Sequence, residues 1–462
     1  MRTNHRTPKD TGELLMRILV FTLIISVMNA TMFNVALPVI SKQFQLSPSQ
    51  VSWITTGYMI VYAIGTVTFG KLTDKYGLKG LLTFGLLIFA LGSVVGLVAT
   101  QYWMIIVARI IQAAGASVIP ALAMIVPVRY FSPEKRGRAL GTSAIGLALG
   151  AALGPIIAGF VTSAWSWQVL FAIPLLSLFT LPFYHRYLDD EEGGTDKIDF
   201  IGGSLLAGTV AALLLALTQG DIWFLVTGVV LLILFVLRIC YAKDPFVKPA
   251  VFRNKQYSLG LVITFVITAI GFGIPYIAPQ LLSVVNHMSP ALTGIIMLPS
   301  ALMTALLGRK GGKLADEKGN SVLLYTASTL LFIGFMFLSS VVGLSSVFIA
   351  IFLIFGVLGQ SFMQIAMSNT ISRTLPKEHT GIGMGFFSML NFISAATSTA
   401  TIGKVLDFGT PTFRFNPIPQ NSAAFVYSNI FLVLAILVVV MTAIYYVQFG
   451  RVAKTATDET NC

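Results

Sequence analysis

The feature that most constrains this fold is a series of fourteen long apolar runs, separated by short connections rich in Gly, Pro and charged residues. About 20 apolar residues in a helix cross the hydrocarbon core of a membrane, because each residue adds 1.5 Å. The sequence therefore predicts an all-α membrane protein. Its predicted spans are residues 14–37, 49–70, 79–98, 103–127, 137–162, 167–183, 201–218, 222–241, 257–281, 290–309, 321–340, 346–371, 381–403 and 424–448.

Composition excludes the soluble classes of protein. Of the 462 residues, 56% are hydrophobic and 10% are charged, whereas soluble domains carry about 25% charged residues. Two cysteines, Cys240 and Cys462, and four scattered histidines give neither a disulfide framework nor a metal-ligand cluster. The chain has no G-x-S-x-G, H-E-x-x-H or phosphate-binding loop in an accessible context. We expect neither an enzyme nor a bound cofactor.

The positions of the basic residues predict the orientation in the membrane. With the basic N-terminal tail in the cytoplasm, inside segments hold 26 of the 30 Lys and Arg residues. Outside loops hold only Lys42, Lys404 and Arg414, and Arg109 lies within a span. This bias is the one expected of membrane proteins. It predicts that both termini are cytoplasmic, and it explains the net charge of +12 without a nucleic-acid partner.

An internal repeat predicts the domain organisation. Residues 70–79 read GKLTDKYGLK and residues 312–321 read GKLADEKGNS, so Gly, Lys, Leu, Asp and Gly recur at equal spacing. Each copy is predicted as an inside loop between the second and third helix of a six-helix half. Two halves of the same orientation imply a pseudo-two-fold axis along the membrane normal and transport by alternating access.

The predicted arrangement is therefore six helices, two inserted helices and six further helices, forming two pseudo-symmetric bundles. The predicted parts are an N-terminal bundle (1–183), linkers with inserted helices 201–218 and 222–241 (184–256), and a C-terminal bundle with a short tail (257–462).

The repeated loop contains a carboxylate that has two interpretations. Gly70 and Gly77 allow a tight reversal, and Asp74 is expected at the start of the following helix. There it would accept hydrogen bonds from free helix N–H groups or pair with a cation. Asp74 is either a plain helix cap or a functional group, and its recurrence as Asp316 favours function.

Several motifs together resemble one family. They are the G-K-L-x-D-x-x-G-x-K loop, Asn34-Val-Ala-Leu-Pro-Val-Ile, Arg109-Ile-Ile-Gln112-Ala-Ala-Gly, the stretch from Gly146 to Gly159, and the segments at 129–138, 244–247 and 427–429. The set resembles the major facilitator superfamily, and within it the fourteen-helix drug:proton antiporters that include tetracycline and multidrug exporters of Gram-positive bacteria. This resemblance implies antiport of small amphipathic molecules against protons or another monovalent cation. It also implies a monomer in a bacterial plasma membrane.

The resemblance implies coupling roles for Arg109, Asp74, Asp316, Gly154 and Pro155. A cation in mid-span costs about 2.5–3.5 kcal/mol on insertion scales, so Arg109 is expected to face a cavity or a partner. Its alternative role is a structural anchor to backbone carbonyls. Glycine at every fourth residue up to Gly154 makes a groove for helix packing, and Pro155 favours a kink. That helix is either a flexible element between the halves or a tightly packed one.

Polar and aromatic residues within the spans are the candidates for substrate contact. Amides inside lipid are costly unless they are hydrogen-bonded, so they are expected to point inward. An apolar aromatic pocket with a few polar groups suits an amphipathic drug. The candidates are Asn29, Asn34, Tyr58, Tyr62, Gln112, Gln364 and Asn391.

The acidic residues leave the coupling open. Sixteen of the eighteen lie in predicted inside segments, Asp221 and Asp407 lie near outer ends, and none lies in mid-span. Where the exporters place carboxylates, this chain has Asn29, Ala30 and Ala151. Coupling through Asp407 or through the repeated loops, an anionic or neutral substrate paired with Arg109, and weak coupling all remain open. The alternative to drug export is therefore a metabolite or lipid carrier on the same fold.

Overall fold

The protein was analysed as a computed structural model, which describes residues 8–189, 199–247, 249–375, 380–409, 411, 413–419 and 421–450. The described chain is all-helical. Its α-helices are α1 (Pro8–Phe44), α2 (Pro48–Lys75), α3 (Leu78–Leu97), α4 (Tyr102–Ala116), α5 (Ile119–Tyr130), α6 (Pro133–Ala164), α7 (Leu181–Tyr187), α8 (Phe200–Gln219), α9 (Ile222–Tyr241), α10 (Lys255–Val284), α11 (Pro290–Lys318), α12 (Asn320–Val341), α13 (Ser346–Arg373), α14 (Thr380–Asp407) and α15 (Phe425–Tyr445).

Within the described residues, thirteen helical stretches are long and apolar enough to cross a membrane. The chain is therefore a multi-pass membrane protein. The remaining predicted span, 381–403, lies in α14. This helix is 28 residues long and contains several Gly, Ser, Thr and Asn residues, and it is not among the thirteen stretches.

Two predicted spans are not single α-helices. The fourth is divided into α4 and α5 at Ser117 and Val118. Pro120 lies in the first turn of α5, where its missing N–H is tolerated, whereas in the middle of a continuous helix it would break a hydrogen bond. The sixth begins as a 3-10 helix (Trp167–Thr180) and continues as α7.

The described helices cluster into two compact units. Unit 1 comprises Met1–Leu46, Trp53–Ala216 and Asp221–Val247. In it, α1 packs along α6, α3 packs along α4, and the 3-10 segment packs against α1 and α3. Phe33, Trp167 and Phe171 form an aromatic core, in which the Phe171 ring centroid lies 4.7 Å from that of Phe33 and 6.4 Å from that of Trp167. Most of both inserted helices, α8 and α9, belongs to this unit.

Unit 2 comprises Ser47–Ser52, Leu217–Gly220 and Lys248–Cys462. In it, α12 packs against α13 and α15, α11 packs against α13, and α10 packs against α14. Phe335 of α12 and Phe431 of α15 are buried, and their ring centroids lie 6.2 Å apart.

The glycine series of α6 lies against α1 inside unit 1. A Cβ at Gly146 would come within 3.3 Å of the Val20 carbonyl, and one at Gly150 within 2.7 Å of the Ile24 carbonyl. A Cβ at Gly154 would overlap Thr31 Oγ1. The groove therefore provides close helix packing, as small residues do in membrane proteins.

The repeated segments differ from the predicted loops. Asp74 lies in the last turn of α2, which continues to Lys75, so the expectation that it starts the next helix is wrong. The N-cap of α3 is Gly77, with no capping side chain. Gly70 lies within α2, and a Cβ there would meet nothing within 4 Å, so it serves neither a reversal nor a close approach. The second copy turns at Gly319, whose φ of +91° favours glycine.

Candidate functional site

The candidate site in unit 1 is built around Arg109 of α4, whose side chain is completely buried. Its Nε donates a hydrogen bond to the Ile54 carbonyl at 3.3 Å. Its Nη1 donates to the Asn29 carbonyl at 3.2 Å and to Gln112 Oε1 at 3.1 Å. Gln112 in turn donates from Nε2 to Ser93 Oγ at 2.9 Å. The guanidinium therefore joins α1, α2 and α4, and Gln112 extends the network to α3.

Aromatic rings cover both sides of the guanidinium. The Arg109 carbon Cζ lies 4.3 Å from the Phe33 ring centroid and 4.0 Å from that of Tyr58. Tyr62 stacks on Tyr58, with centroids 5.6 Å apart. A desolvated cation over an aromatic face gains about 2 kcal/mol or more. Together with the carbonyl dipoles, the two rings stabilise a buried positive charge that forms no ion pair with any described carboxylate.

Part of the hydrogen-bonding capacity of this cluster is unused. Arg109 Nη2 is buried and makes no hydrogen bond with a described residue, whereas the Tyr58 hydroxyl and the Asn29 side chain are buried close to each other and interact without good hydrogen-bond geometry. A buried polar group without a partner costs about 1–3 kcal/mol. Such a group in a buried cluster therefore calls for an explanation in terms of function.

The other predicted substrate residues lie in two places. Asn34, on α1, accepts a long hydrogen bond of 3.4 Å from Thr55 in unit 1. Gln364 and Asn391 belong to α13 and α14 of unit 2, where Asn391 Oδ1 accepts a hydrogen bond from Thr268 at 2.9 Å. The structure thus brings Asn29, Tyr58, Tyr62 and Gln112 together around Arg109. Asn391 is bonded within unit 2, and Gln364 is only partly buried there.

Sequence reasoning missed two side chains of the cluster. Phe33 lies four residues after Asn29 and therefore shares its face of α1, which is a signal that the i,i+4 spacing could have provided. Ser93 is a buried hydroxyl on a helix that is otherwise almost entirely apolar. A polar residue in such a helix is itself an indication of a partner.

The predicted coupling carboxylates have different environments. Asp316 is exposed in the last turn of α11, and the side chain of Asp74 lies outside the described part. Asp407, the last residue of α14, is half-buried. Its Oδ1 accepts a hydrogen bond from the Ser49 N–H at 2.9 Å, so it caps the first turn of α2 within unit 2.

Comparison with known proteins identifies the family of this chain. The family model described as Major Facilitator Superfamily matches residues 19–399. The chain belongs to the major facilitator superfamily. It is 26% identical over 385 residues to the riboflavin transporter RibZ of Clostridioides difficile (strain 630), covering 81% of this chain and 84% of that one. It is 27% identical over 347 residues to the efflux pump dotC of Dothistroma septosporum (strain NZE10 / CBS 128990), covering 71% of this chain and 60% of that pump.

Solved structures share the major facilitator fold. A variant of the nucleoside transporter NupG aligns with a TM-score of 0.67 at 14% identity, over 95% of this chain and all of that one. A bacterial homologue of the human lysosomal transporter Spinster aligns with a TM-score of 0.65 at 13% identity, over 95% and 97% of the two chains. The protein is therefore a transporter of this superfamily.

Proposed function

We propose that the protein is a secondary active transporter that exports amphipathic small molecules by proton antiport. Its fourteen spans would form six helices, two inserted helices and six further helices, with both termini on the cytoplasmic side of a bacterial plasma membrane. The family and the relative named as an efflux pump support this proposal. Alternating access of two like-oriented bundles is the mechanism that the internal repeat favours.

The observation that carries the proposal is the buried Arg109 cluster. It combines a cation, aromatic rings and unused polar groups in one place. An amphipathic molecule has an apolar body and a few polar atoms, and it gains from both kinds of contact. Polar atoms of the substrate would bind Arg109 Nη2, the Tyr58 hydroxyl and the Asn29 amide, while its apolar part would displace water from the neighbouring side chains.

Asp407 is the carboxylate that we propose for coupling. In its ionised form it accepts the hydrogen bond from the first turn of α2, at the positive end of that helix. Uptake of a proton would remove the negative charge and weaken this contact. Asp316 is less suited, because an exposed carboxylate exchanges protons with water whatever the state of the transporter.

A second candidate function is a carrier for a neutral or anionic metabolite. The specific observation in its favour is that no described carboxylate forms an ion pair with Arg109. A buried, unneutralised cation suits a substrate with an electron-rich or negative group. The relative named as a riboflavin transporter also points to this class of substrate.

The deciding experiment measures proton movement in proteoliposomes that carry an imposed pH gradient. If the protein is a drug antiporter, addition of ethidium should dissipate the gradient, as reported by an internal pH-sensitive dye. Arg109→Ala should abolish this response, whereas Arg253→Ala, at an exposed arginine, should not. If ethidium and a panel of amphipathic antibiotics have no effect while labelled riboflavin exchanges without proton movement, the metabolite carrier replaces the proposed antiporter.

A further inference from the structure

A single buried carboxylate joins the two inserted helices to the segment that follows them. Asp199 directly precedes α8 and is only 4% exposed. Its Oδ1 accepts hydrogen bonds from the Gly202 N–H at 3.0 Å and from Arg238 Nε at 3.1 Å. Its Oδ2 accepts from the Phe246 N–H at 3.1 Å. Asp199 therefore caps α8, forms an ion pair with the end of α9 and fixes the segment after α9.

The same segment is bound by the lysine of the first repeated motif. Lys71 Nζ, near the end of α2, donates hydrogen bonds to the carbonyls of Pro245 and Phe246, each at 3.1 Å. It also lies 5.5 Å from the centroid of the Phe246 ring. That ring is 1% exposed, and a Cβ at Gly203 would lie 3.1 Å from it. Because Gly203 has no side chain, the Phe246 ring packs closely against the start of α8.

The second copy of the motif makes no such contact. Lys313 occupies the position of Lys71, and its Nζ lies 3.4 Å from Glu317 Oε1 on the same helix. Both side chains are well exposed, at 72% and 58%, and exposed pairs of this kind contribute little to stability. The docking of Lys71 is thus not shared by the second copy, because Lys313 meets no equivalent of the inserted segment among the described residues.

The charge on Asp199 is essential to this arrangement. Burial by itself would raise the pKa of the Asp199 carboxyl, but the hydrogen bonds from Gly202, Phe246 and Arg238 outweigh burial and lower it. The carboxylate therefore stays ionised at neutral pH. Hydrogen bonds to a charged acceptor are stronger than neutral ones, so an uncharged side chain of the same shape would hold the segment less firmly.

We propose that Asp199, Phe246 and Lys71 form a docking joint by which the inserted helices hold the end of α2 in place for the transport cycle. Asp199 and Lys71 are positioning residues, because both bind the backbone of the segment after α9. Asp199 binds it from the start of α8, and Lys71 binds it from α2. The joint gives the inserted helices a role beyond filling the bilayer. Its effect on transport rate rests on the proposed function, whereas the docking itself does not.

Amide hydrogen exchange on the full chain in detergent tests the docking. In Asp199→Asn, we expect peptides that cover 199–206, 242–247 and the end of α2 to exchange at least tenfold faster. Lys71→Gln should accelerate exchange in the last two of these regions. The matched controls are Lys313→Gln and Asp221→Asn. Asp221 caps α9 at its other end by accepting from the Trp223 N–H, and neither control should alter exchange in the three regions. Wild-type exchange in Asp199→Asn and Lys71→Gln would overturn the joint.

Ethidium transport provides the second readout. If the joint positions α2, Lys71→Gln should lower the maximal rate severalfold at an unchanged KM, and Lys313→Gln should leave both unchanged. The Lys71→Gln/Asp199→Asn double variant should be no slower than the slower single variant, because both act through one segment. Faster exchange with an unaltered maximal rate would refute the positioning role. A wild-type protein that moves no ethidium would refute drug efflux, while hydrogen exchange would still decide whether the joint exists.

Discussion

The packing of α6 on α1 provides a quantitative test at Gly150. An added Cβ would lie 2.7 Å from the Ile24 carbonyl oxygen and 2.9 Å from Val27 Cβ, where ordinary contacts begin near 3.4 Å. A backbone carbonyl within a helix cannot turn aside, so Gly150→Ala should force the two helices apart by roughly 0.7 Å. Overpacking of this kind costs about 1–3 kcal/mol.

Gly141, on the same helix, is the matched control, because a Cβ there would meet nothing within 4 Å. Both substitutions replace a helical glycine by alanine and share the same gain in helix propensity, about 1 kcal/mol at most. The difference between the two variants therefore isolates the packing cost. For a bundle of this size it corresponds to a melting temperature roughly 2–12 °C lower in Gly150→Ala than in Gly141→Ala.

The assay is thermal unfolding of purified protein in detergent, followed by intrinsic fluorescence or size-exclusion survival. Equal melting temperatures for the two variants would refute the close approach of α1 and α6.

The same variants also show whether α6 only packs against α1 or also moves during transport. If the groove only packs, the Gly150→Ala protein that remains folded should transport at the wild-type rate. If α6 moves during transport, the folded variant should also turn over more slowly.

Three further perturbations have defined outcomes. Arg109→Lys keeps the positive charge but loses the planar guanidinium and at least one of its hydrogen bonds. A lost hydrogen bond to a charged group costs about 1.5–3 kcal/mol, so transport in proteoliposomes should fall about tenfold or more. Unchanged transport would contradict the role of the cluster. Asp407→Asn should abolish proton movement but retain substrate exchange, and persistent proton movement would exclude Asp407 from coupling. Because the pKa of Asp199 is lowered, its stabilising contribution should be complete above the ordinary carboxyl pKa of 3.8 and lost as the pH falls below it. The melting temperatures of wild type and Asp199→Asn should therefore converge progressively as the pH falls below 3.8, and a constant difference would contradict this assignment.

The spans were the most predictable part of the fold because apolar length alone decides them. The ends of the helices were less predictable. The sequence indicated a loop from Gly70 to Lys79, yet α2 continues to Lys75. Glycine and charged residues usually signal a turn, but here the helix continues through them, and Lys71 finds partners in the Pro245 and Phe246 carbonyls. Hydropathy marks where the apolar part of a helix stops, and backbone hydrogen bonding continues beyond that point.

The candidate site was predictable as a set of residue types and not as an arrangement. Arg109 and Gln112 could be paired from their helical spacing, and the structure places them in contact. The partners from other helices, the Asn29 and Ile54 carbonyls, could not be inferred, because any backbone carbonyl can accept a hydrogen bond and the sequence does not distinguish among them. Phe33 is apolar, so its four-residue spacing from Asn29 was the sequence signal that could have connected it to the site, and its contact with the guanidinium follows from the rotation of α1 about its axis.

Asn29 connects the geometry of the cluster to the unusual distribution of acids in this chain. Arg109 is held by the backbone carbonyl of Asn29 and not by its side chain, so position 29 contributes to anchoring the cation whatever residue occupies it. An aspartate there would add a negative charge to the turn of α1 whose backbone accepts a hydrogen bond from the guanidinium. With asparagine, the cation keeps an unused donor in Nη2. Because position 29 carries an amide and not a carboxylate, the proton uptake that we propose requires another group, for which Asp407 on α14 is the proposed one.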